Sequence, residues 1–247
     1  MERVFVIGDI HGSFQELELL LTRWDSETER LIFLGDYINR GKDSLSVLQT
    51  IKSLVEHNGA IALMGNHEAM FLEWLNEPYS TTDLLLKMGG ATTIESMSTK
   101  EMRENESLDA FVAAIKTEHA SIVNWLKTLP LYYRWHHYFF VHAGINPEVE
   151  RPESSTSDDF LWIRDDFTHA THEAKETVVF GHTPTMNLNE DESSKVWISS
   201  CKKKIGIDGG VVYPKGRLNG IVLHHQPTPM RVHFVQSGHI YTEQFIQ

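Results

Sequence analysis

Short apolar runs and amphipathic stretches alternate through the first third of the chain. Short apolar runs bounded by turn residues are typical of buried strands, whereas apolar positions three and four residues apart are typical of helices. Strands are predicted over residues 3–7, 31–34 and 61–64, and helices over 14–24, 44–55 and 68–75. This alternation predicts right-handed βαβ units and a parallel sheet, with a ligand site at the carboxyl ends of its strands.

The rest of the chain departs from this alternation. Residues 78–107 are rich in Ser, Thr, Glu and Met, and 108–125 have helical spacing, so a helical insertion or cap is predicted over about 78–128. Strand structure returns over 132–141, for which a hairpin around residues 135–137 is one interpretation. Further strands follow over 177–180, 195–200, 205–208, 218–224 and 230–235, with a hairpin turn at 226–229. Both halves are predicted to form a single domain over residues 1–247, with central β-sheets flanked by helices.

Composition and charge limit the classes of protein to which this chain can belong. The chain has 247 residues, 41% of them hydrophobic and 23% charged, which is ordinary for a globular protein with a substantial core. The single cysteine, Cys201, excludes an internal disulfide, and no apolar run has the length of a membrane span. We therefore expect a cytoplasmic protein with no membrane partner. A net charge of −12 argues against nucleic acid as the main partner, and the sequence does not indicate an oligomeric state.

Five short phrases that combine Gly with Asp, Asn or His lie at the ends of predicted strands. They are GDIHG (8–12), GDYINRG (35–41), GNHE (65–68), HAG (142–144) and GHT (181–183). A buried polar group costs roughly 1–3 kcal/mol when it is left unpaired. Polar side chains that recur at five strand ends therefore indicate a partner that they share. Side chains of these types predict a site for two hard-to-borderline divalent metal ions.

The candidate metal ligands are Asp9, His11, Asp36, Asn66, His142 and His182. Asp9 and His11 lie just past one strand and can turn toward one ion, while the carboxylate of Asp36 can bridge two ions. This mixture of carboxylate, amide and imidazole ligands favours Mn²⁺, Fe or Zn²⁺ over Ca²⁺, and Mn²⁺ is the expected ion.

Three further residues are candidates for catalysis and substrate binding. His67 follows a candidate ligand and is placed to protonate a leaving alkoxide. Arg40 and Arg164 can hold phosphate oxygens through bidentate hydrogen bonds. Taken singly, each phrase has a structural alternative: an Asp-Gly turn, a helix cap at Asn66, a core histidine, or, for Arg164, an ion pair with the aspartates that follow it. The occurrence of all five phrases in order favours the shared metal site.

In series, Gly-Asp-x-His-Gly, Gly-Asp-x-x-x-Arg-Gly and Gly-Asn-His-Glu resemble the phosphoprotein phosphatase family of dinuclear metallophosphoesterases, over about residues 3–223. The phrases GHTP (181–184) and IDGG (207–210) resemble its small bacterial and phage-type branch, which is related to symmetrical diadenosine tetraphosphatases. The resemblance implies an α/β fold, the calcineurin-like metallophosphoesterase sandwich.

The resemblance also implies a role for each matched residue. The ligands of the first metal would be Asp9, His11 and Asp36, and those of the second Asp36, Asn66, His142 and His182. His67 would be the general acid, and Arg40, Arg164 and Asn66 would contact phosphate.

One catalytic position departs from the family pattern. Asn39 stands where protein phosphatases of this family carry an Asp that pairs with the acid histidine. Asn supplies no negative charge, so the proton of His67 is held less firmly. Relatives that cleave diadenosine tetraphosphate also lack this Asp, and their nucleotide leaving group needs less protonation.

These observations predict a serine/threonine protein phosphatase that hydrolyses phosphomonoesters by direct attack of a dimetal-bound hydroxide. The expected partner is a phosphoprotein or a small phosphoester substrate. Two alternatives remain open. One is a symmetrical bis(5′-nucleosyl)-tetraphosphatase acting on a dinucleoside polyphosphate. The other, which Asn39 motivates, is a weakly catalytic regulator that binds phosphoproteins.

Overall fold

The computed structural model describes residues 2–104, 107–226 and 229–245. The strands are β1 (Arg3–Ile7), β2 (Glu29–Phe33), β3 (Ile61–Ala62), β4 (Tyr132–Trp135), β5 (Tyr138–Val141), β6 (Thr177–Phe180), β7 (Trp197–Ile198), β8 (Lys204–Gly206), β9 (Leu218–His224), β10 (Met230–Gln236) and β11 (His239–Phe245). The helices are α1 (Phe14–Leu21), α2 (Ser44–Asn58), α3 (Asn66–Asn76), α4 (Pro78–Lys87), α5 (Ala91–Ser96), α6 (Lys100–Arg103), α7 (Leu108–Glu118), α8 (Ala120–Leu126), α9 (Ser157–Trp162) and α10 (Asp165–Thr168).

These strands form two mixed sheets. The first has the order β11-β10-β9-β1-β2-β3, in which β1, β2 and β3 are parallel and β9 to β11 form an antiparallel meander beside β1. The second has the order β4-β5-β6-β8-β7, with β5, β6 and β8 parallel. The α/β fold class, with central sheets flanked by helices, is therefore confirmed.

The alternation of side chains along β1 shows how the layers are held together. Val4 and Val6 pack between the two sheets, whereas Phe5 and Ile7 pack under the helices of the first sheet. Successive strand residues point to opposite faces, so a continuous apolar run is needed where both faces are covered. Each of these side chains is fully buried, which stabilises the fold by about 1.5–3 kcal/mol per residue.

Several elements differ from the sequence-based expectation. Residues 132–141 do not form one strand but the hairpin of β4 and β5, which was the alternative interpretation of this segment, with His136 in a left-handed conformation at φ 52°. The long helix predicted over 108–125 is divided at His119 into α7 and α8. Strand β11 was not predicted, and the turn predicted at 226–229 includes residues 227–228, which lie outside the described residues.

The helical segment between Pro78 and Leu126 packs along α2 and α3. Its contacts also reach the loop that follows β2, through Gly89 and Thr93. Within the described ranges, no helix combines the length and the apolar character that a bilayer span requires.

Candidate metal centre

The polar phrases converge where the carboxyl ends of the two sheets meet. Asp9 and His11 follow β1, Asp36 follows β2, and Asn66 and His67 begin α3 just after β3. From the second sheet come His142 after β5, His182 after β6 and Asp208 after β8. All of these side chains are at least 96% buried. The sandwich therefore gathers residues that are up to 199 positions apart in the sequence, counting from Asp9 to Asp208.

One cluster of possible ligand atoms involves Asp36, Asn66, His142 and His182. The Nδ1–H of His142 donates to the carbonyl of Leu34 at 3.0 Å, so its Nε2 carries a lone pair. That Nε2 lies 2.9 Å from Oδ1 of Asn66 and 3.4 Å from a carboxylate oxygen of Asp36. The Nδ1 of His182 lies 3.0 Å from the same amide oxygen.

This cluster has the chemistry of a cation site. An imidazole lone pair faces an amide oxygen and a carboxylate oxygen, and no proton can satisfy all three acceptors. Burial lowers the pKa of His142 to about 3, so the ring does not resolve the conflict by becoming charged. The Nε2 of His182 is buried without a hydrogen-bond partner, and burial lowers the pKa of this ring well below its ordinary value. A divalent ion fits these donors.

A second cluster joins His11, Asp36 and His67, whose possible ligand atoms lie within 4.8 Å of one another. The Nδ1–H of His11 donates to the Ile38 carbonyl at 2.9 Å, which leaves its Nε2 as an acceptor 3.7 Å from Asp36. The Nη1 of Arg40 lies 2.7 Å from that Nε2 and brings a positive charge to the acceptor. The Nε2 of His67 lies 3.8 Å from the Asp36 carboxylate.

Asp9 lies beside these two clusters. Both of its carboxylate oxygens accept from the backbone N–H of His182, at 3.1 and 3.0 Å. A Cβ at position 181 would lie 2.1 Å from one of those oxygens, so only glycine fits there. The carboxylate therefore links the first and second sheets at the site.

The buried carboxylates repel one another without a cation. Burial, followed by the charges of Asp208 and Asp36, raises the pKa of Asp9 well above its ordinary value. Burial also raises the pKa of Asp36 to about 7 and that of Asp208 to about 6, although Arg40 lowers both. Divalent ions would stabilise the ionised form of these groups. Asp208 was not predicted as a site residue, although it stands next to glycine at the end of a strand, as Asp36 does.

The backbone of the site is held in an unusual conformation. His11, Asp36, Asn39, Arg40 and His182 have φ values of 47°, 54°, 70°, 70° and 62°. The left-handed region costs a non-glycine residue about 1–2 kcal/mol. Such clustering is characteristic of functional sites, where the surrounding structure imposes the conformation.

Hydrogen bonds fix the orientation of the Asn39 side chain. The backbone N–H of Asn39 donates to the hydroxyl oxygen of Thr93 at 2.8 Å, and that hydroxyl donates to Oδ1 of Asn39 at 2.8 Å. The Ser44 hydroxyl lies 2.9 Å from the same Thr93 oxygen, and because the Thr93 proton is directed at Asn39, Ser44 is the donor of this pair. Because Thr93 has one proton and two lone pairs, these three bonds saturate it. The amide nitrogen of Asn39 is thereby turned toward His67.

This orientation determines how His67 is protonated. The Nδ2 of Asn39 lies 2.7 Å from Nδ1 of His67 and can only donate, so Nδ1 accepts and the ring proton lies on Nε2. Burial and then the charges of His11 and Arg40 lower the pKa of His67. With Nδ1 accepting, the neutral ring carries its N–H on Nε2. Arg40 Nη2 lies 3.2 Å from that nitrogen, and because a guanidinium can only donate, this contact joins two donors and is not a hydrogen bond. Thr93, 54 positions from Asn39, could not be identified from the sequence.

The two candidate arginines differ in position. Arg40 is half-buried, its Nη2 lies 3.2 Å from Nε2 of His67, and its backbone N–H donates to the Gly89 carbonyl at 2.9 Å. Arg164 is exposed at the edge of the site and its Nη1 donates to the His182 carbonyl at 2.9 Å. Among the described residues, Arg164 forms no ion pair with the aspartates that follow it.

Glu68 has a structural role that the sequence analysis missed. Its fully buried carboxylate accepts from the backbone N–H groups of Asp36 and Tyr37, each at 2.8 Å, and of Ile38 at 3.3 Å and Gly65 at 3.1 Å. Burial raises the pKa of Glu68 to about 8, against the effect of these donors. It is Glu68, and not Asn66, that satisfies the N–H of the residue preceding α3.

Comparisons with known proteins agree with this geometry. The profile of the family "Calcineurin-like phosphoesterase" matches residues 2–242. A symmetrical bis(5′-nucleosyl)-tetraphosphatase of Actinobacillus pleuropneumoniae serotype 5b is 31% identical over 154 residues, covering 61% of this chain and 48% of the relative. One from Methylococcus capsulatus is 33% identical over 146 residues, covering 58% of this chain and 44% of the relative. The chain thus matches about half the length of these relatives.

Solved structures show the same fold. A protein provisionally named a diadenosine tetraphosphatase superposes with a TM-score of 0.62 at 22% identity, covering 99% of this chain and 94% of the other. A cold-active protein tyrosine phosphatase superposes with a TM-score of 0.59 at 16% identity, covering 98% and 78%. At these identities, the likeness concerns the fold alone.

Proposed function

The chain belongs to the calcineurin-like phosphoesterase family, and from this premise we propose that it is a metal-dependent phosphoesterase whose substrate is a dinucleoside tetraphosphate. The tetraphosphatase names of the curated relatives support this substrate. The observation that carries the proposal is the donor that Asn39 offers to His67.

The pairing of Asn39 with His67 suits a substrate whose leaving group is weakly basic. An aspartate would stabilise a protonated imidazole, which is the strong acid that a serine alkoxide requires. Asn39 instead donates to the ring and leaves it neutral, so His67 contributes a hydrogen bond from Nε2. A nucleoside diphosphate leaves as a far weaker base than an alkoxide, and a hydrogen bond is sufficient to stabilise it.

We assign the remaining roles as follows. Asp9, His11 and Asp36 would hold one divalent ion, and Asp36, Asn66, His142 and His182 the other. When bound, two such metal ions would polarise the phosphoryl group and lower the pKa of the attacking water. Arg40 and Arg164, on two sides of the site, would bind phosphate oxygens and balance their charge. Mn²⁺, Fe and Zn²⁺ all suit this ligand set.

This proposal reverses the order of the substrates predicted from the sequence. From the sequence, phosphoserine and phosphothreonine proteins are the first expected substrates and the dinucleotide is the second. The names of the relatives support the dinucleotide better. The phosphoprotein remains the second candidate, because the motif order resembles that of protein phosphatases.

A side-by-side assay tests the proposal. The protein with Mn²⁺ is given diadenosine tetraphosphate or a phosphoserine peptide, and the products are separated by anion-exchange chromatography. We expect at least a tenfold higher kcat/KM for the dinucleotide, with ADP as the product. His142→Asn, which removes a proposed ligand, serves as the control and should abolish turnover of both substrates. An equal or greater kcat/KM for the peptide would refute the assignment.

A further inference from the structure

Two aromatic side chains at the edge of the site have no role in the chemistry described so far. The side chains of Trp162 and Tyr213 are each 41% exposed. Large aromatic side chains are mostly buried in folded proteins, so exposed rings beside a site are candidates for ligand contact. Both rings adjoin residues of the proposed phosphate and metal site.

Trp162 lies beside His182 and Arg164. Its ring meets the His182 ring edge-on, with the centroids 6.2 Å apart and the planes at 88°. It is the last residue of α9, whose start is fixed by reciprocal hydrogen bonds between Thr156 and Asp159. The indole is therefore presented at the site by an element that is anchored at its other end.

Tyr213 lies beside Arg40, whose Cζ is 5.8 Å from the centre of the ring. The turn that carries it is closed by the Tyr213 N–H donating to Gly210 at 2.8 Å and the Gly216 N–H donating to Tyr213 at 2.9 Å. A Cβ at Gly216 would lie 1.7 Å from the Gly210 carbonyl oxygen, so the turn is closely packed. The backbone that carries the phenol ring is thus fixed before any ligand binds.

We propose that Trp162 and Tyr213 are stacking surfaces for the nucleobase of the substrate. This inference rests on the proposed function, because it assigns the part of a nucleotide that the metals and arginines do not bind. A phosphate group held by Arg40 has the Tyr213 ring beside it, and one held by Arg164 has Trp162 two residues away. The sugar separates a phosphate from its base by only a few bonds. A phosphoserine side chain carries no comparable planar group.

The test compares two ligands that share the phosphate chain and differ in the nucleoside. They are α,β-methylene-ADP and methylenediphosphonate, which resist hydrolysis, titrated by calorimetry into the Mn²⁺-loaded protein. Stacking of a base on an aromatic side chain strengthens binding roughly 5- to 150-fold. We expect the wild-type protein to bind the nucleotide analogue at least five times more tightly than methylenediphosphonate.

Substitution of the two rings provides the decisive comparison. The double variant Trp162→Ala/Tyr213→Ala should lose more than half of this discrimination, whereas Trp162→Phe/Tyr213→Phe, which retains stacking surfaces, should keep it. Tyr79→Ala removes a ring that is 71% exposed and lies on α4, and is the matched control. Circular dichroism verifies that each variant is folded.

The inference is overturned if the wild-type protein does not discriminate, or if the double alanine variant keeps more than half of the wild-type ratio. Binding is measured independently of turnover. A protein that discriminates through these rings but leaves diadenosine tetraphosphate intact would refute the proposed function alone. A protein that cleaves the dinucleotide and is indifferent to the rings would refute the stacking assignment alone.

Discussion

Replacement of Asn39 by aspartate should convert His67 from a neutral hydrogen-bond donor into a stronger acid. Nδ2 of Asn39 is 2.7 Å from Nδ1 of His67, so a carboxylate oxygen in its place can accept a hydrogen bond from a protonated Nδ1. The Thr93 hydroxyl, 2.8 Å from Oδ1, can donate to a carboxylate as it does to the amide. The substitution therefore reverses one hydrogen bond while the rest of the network is kept.

The size of the effect can be worked out from this geometry. A hydrogen bond to a charged group contributes about 1.5–3 kcal/mol, which corresponds to roughly a 10- to 100-fold increase in the protonated fraction of the imidazole. Position 39 is fully buried, so the cost of burying a carboxylate favours the lower limit. We expect about a tenfold gain in kcat for substrates with poor leaving groups.

The assay compares leaving groups at saturating Mn²⁺. For Asn39→Asp, kcat for a phosphoserine peptide should rise about tenfold relative to kcat for p-nitrophenyl phosphate, whose leaving group needs little protonation. Asn39→Ala, which removes the donor without adding a charge, is the control and should not show this selective gain. An equal change on both substrates in Asn39→Asp would refute the reasoning.

Three other variants test the site and the fold. Asp36→Asn should lower both the bound metal measured by elemental analysis and the rate, and retention of two ions with normal turnover would disprove its bridging role. Glu68→Gln places an NH₂ group among four backbone donors, so chemical denaturation should show a loss of about 2–3 kcal/mol; an unchanged midpoint would contradict this. Burial lowers the pKa of His233 from 6.5 to about 4, so the unfolded chain takes up the proton first and stability falls between pH 6.5 and 4, by at most about 3 kcal/mol. His233→Gln should flatten this part of the pH–stability curve, and an unaltered curve would show that another group is responsible.

The sequence predicted those parts of the site that follow strands directly. Gly-Asp and Gly-Asn phrases after short apolar runs located the loops of Asp9, Asp36 and Asn66, because the ends of parallel strands share one edge. The same reasoning found His142 and His182 on the second sheet. The convergence of these loops depends on topology, and regular alternation of strands and helices makes that topology predictable.

Partners from distant, irregular segments could not be predicted. Thr93 reaches Asn39 because α5 packs beside α2, and nothing in a helical Thr-Thr pair signals this contact. Strand β11 was missed because its polar residues resemble a solvated tail. Ser237 and Gly238, both with positive φ, form the turn before it and were the available signal.

The helices between Pro78 and Leu126 contribute no proposed ligand, yet Gly89 accepts from the backbone N–H of Arg40 and Thr93 donates to the side chain of Asn39. Reactivity can therefore be altered from outside the centre itself. A change in the packing of α5 would rotate the Asn39 amide and thereby move the ring proton of His67 from one nitrogen to the other. No group that is proposed to touch the substrate would be replaced. In this architecture, a helical segment that supplies no metal ligand can determine which bonds the proposed metal ligands are able to break.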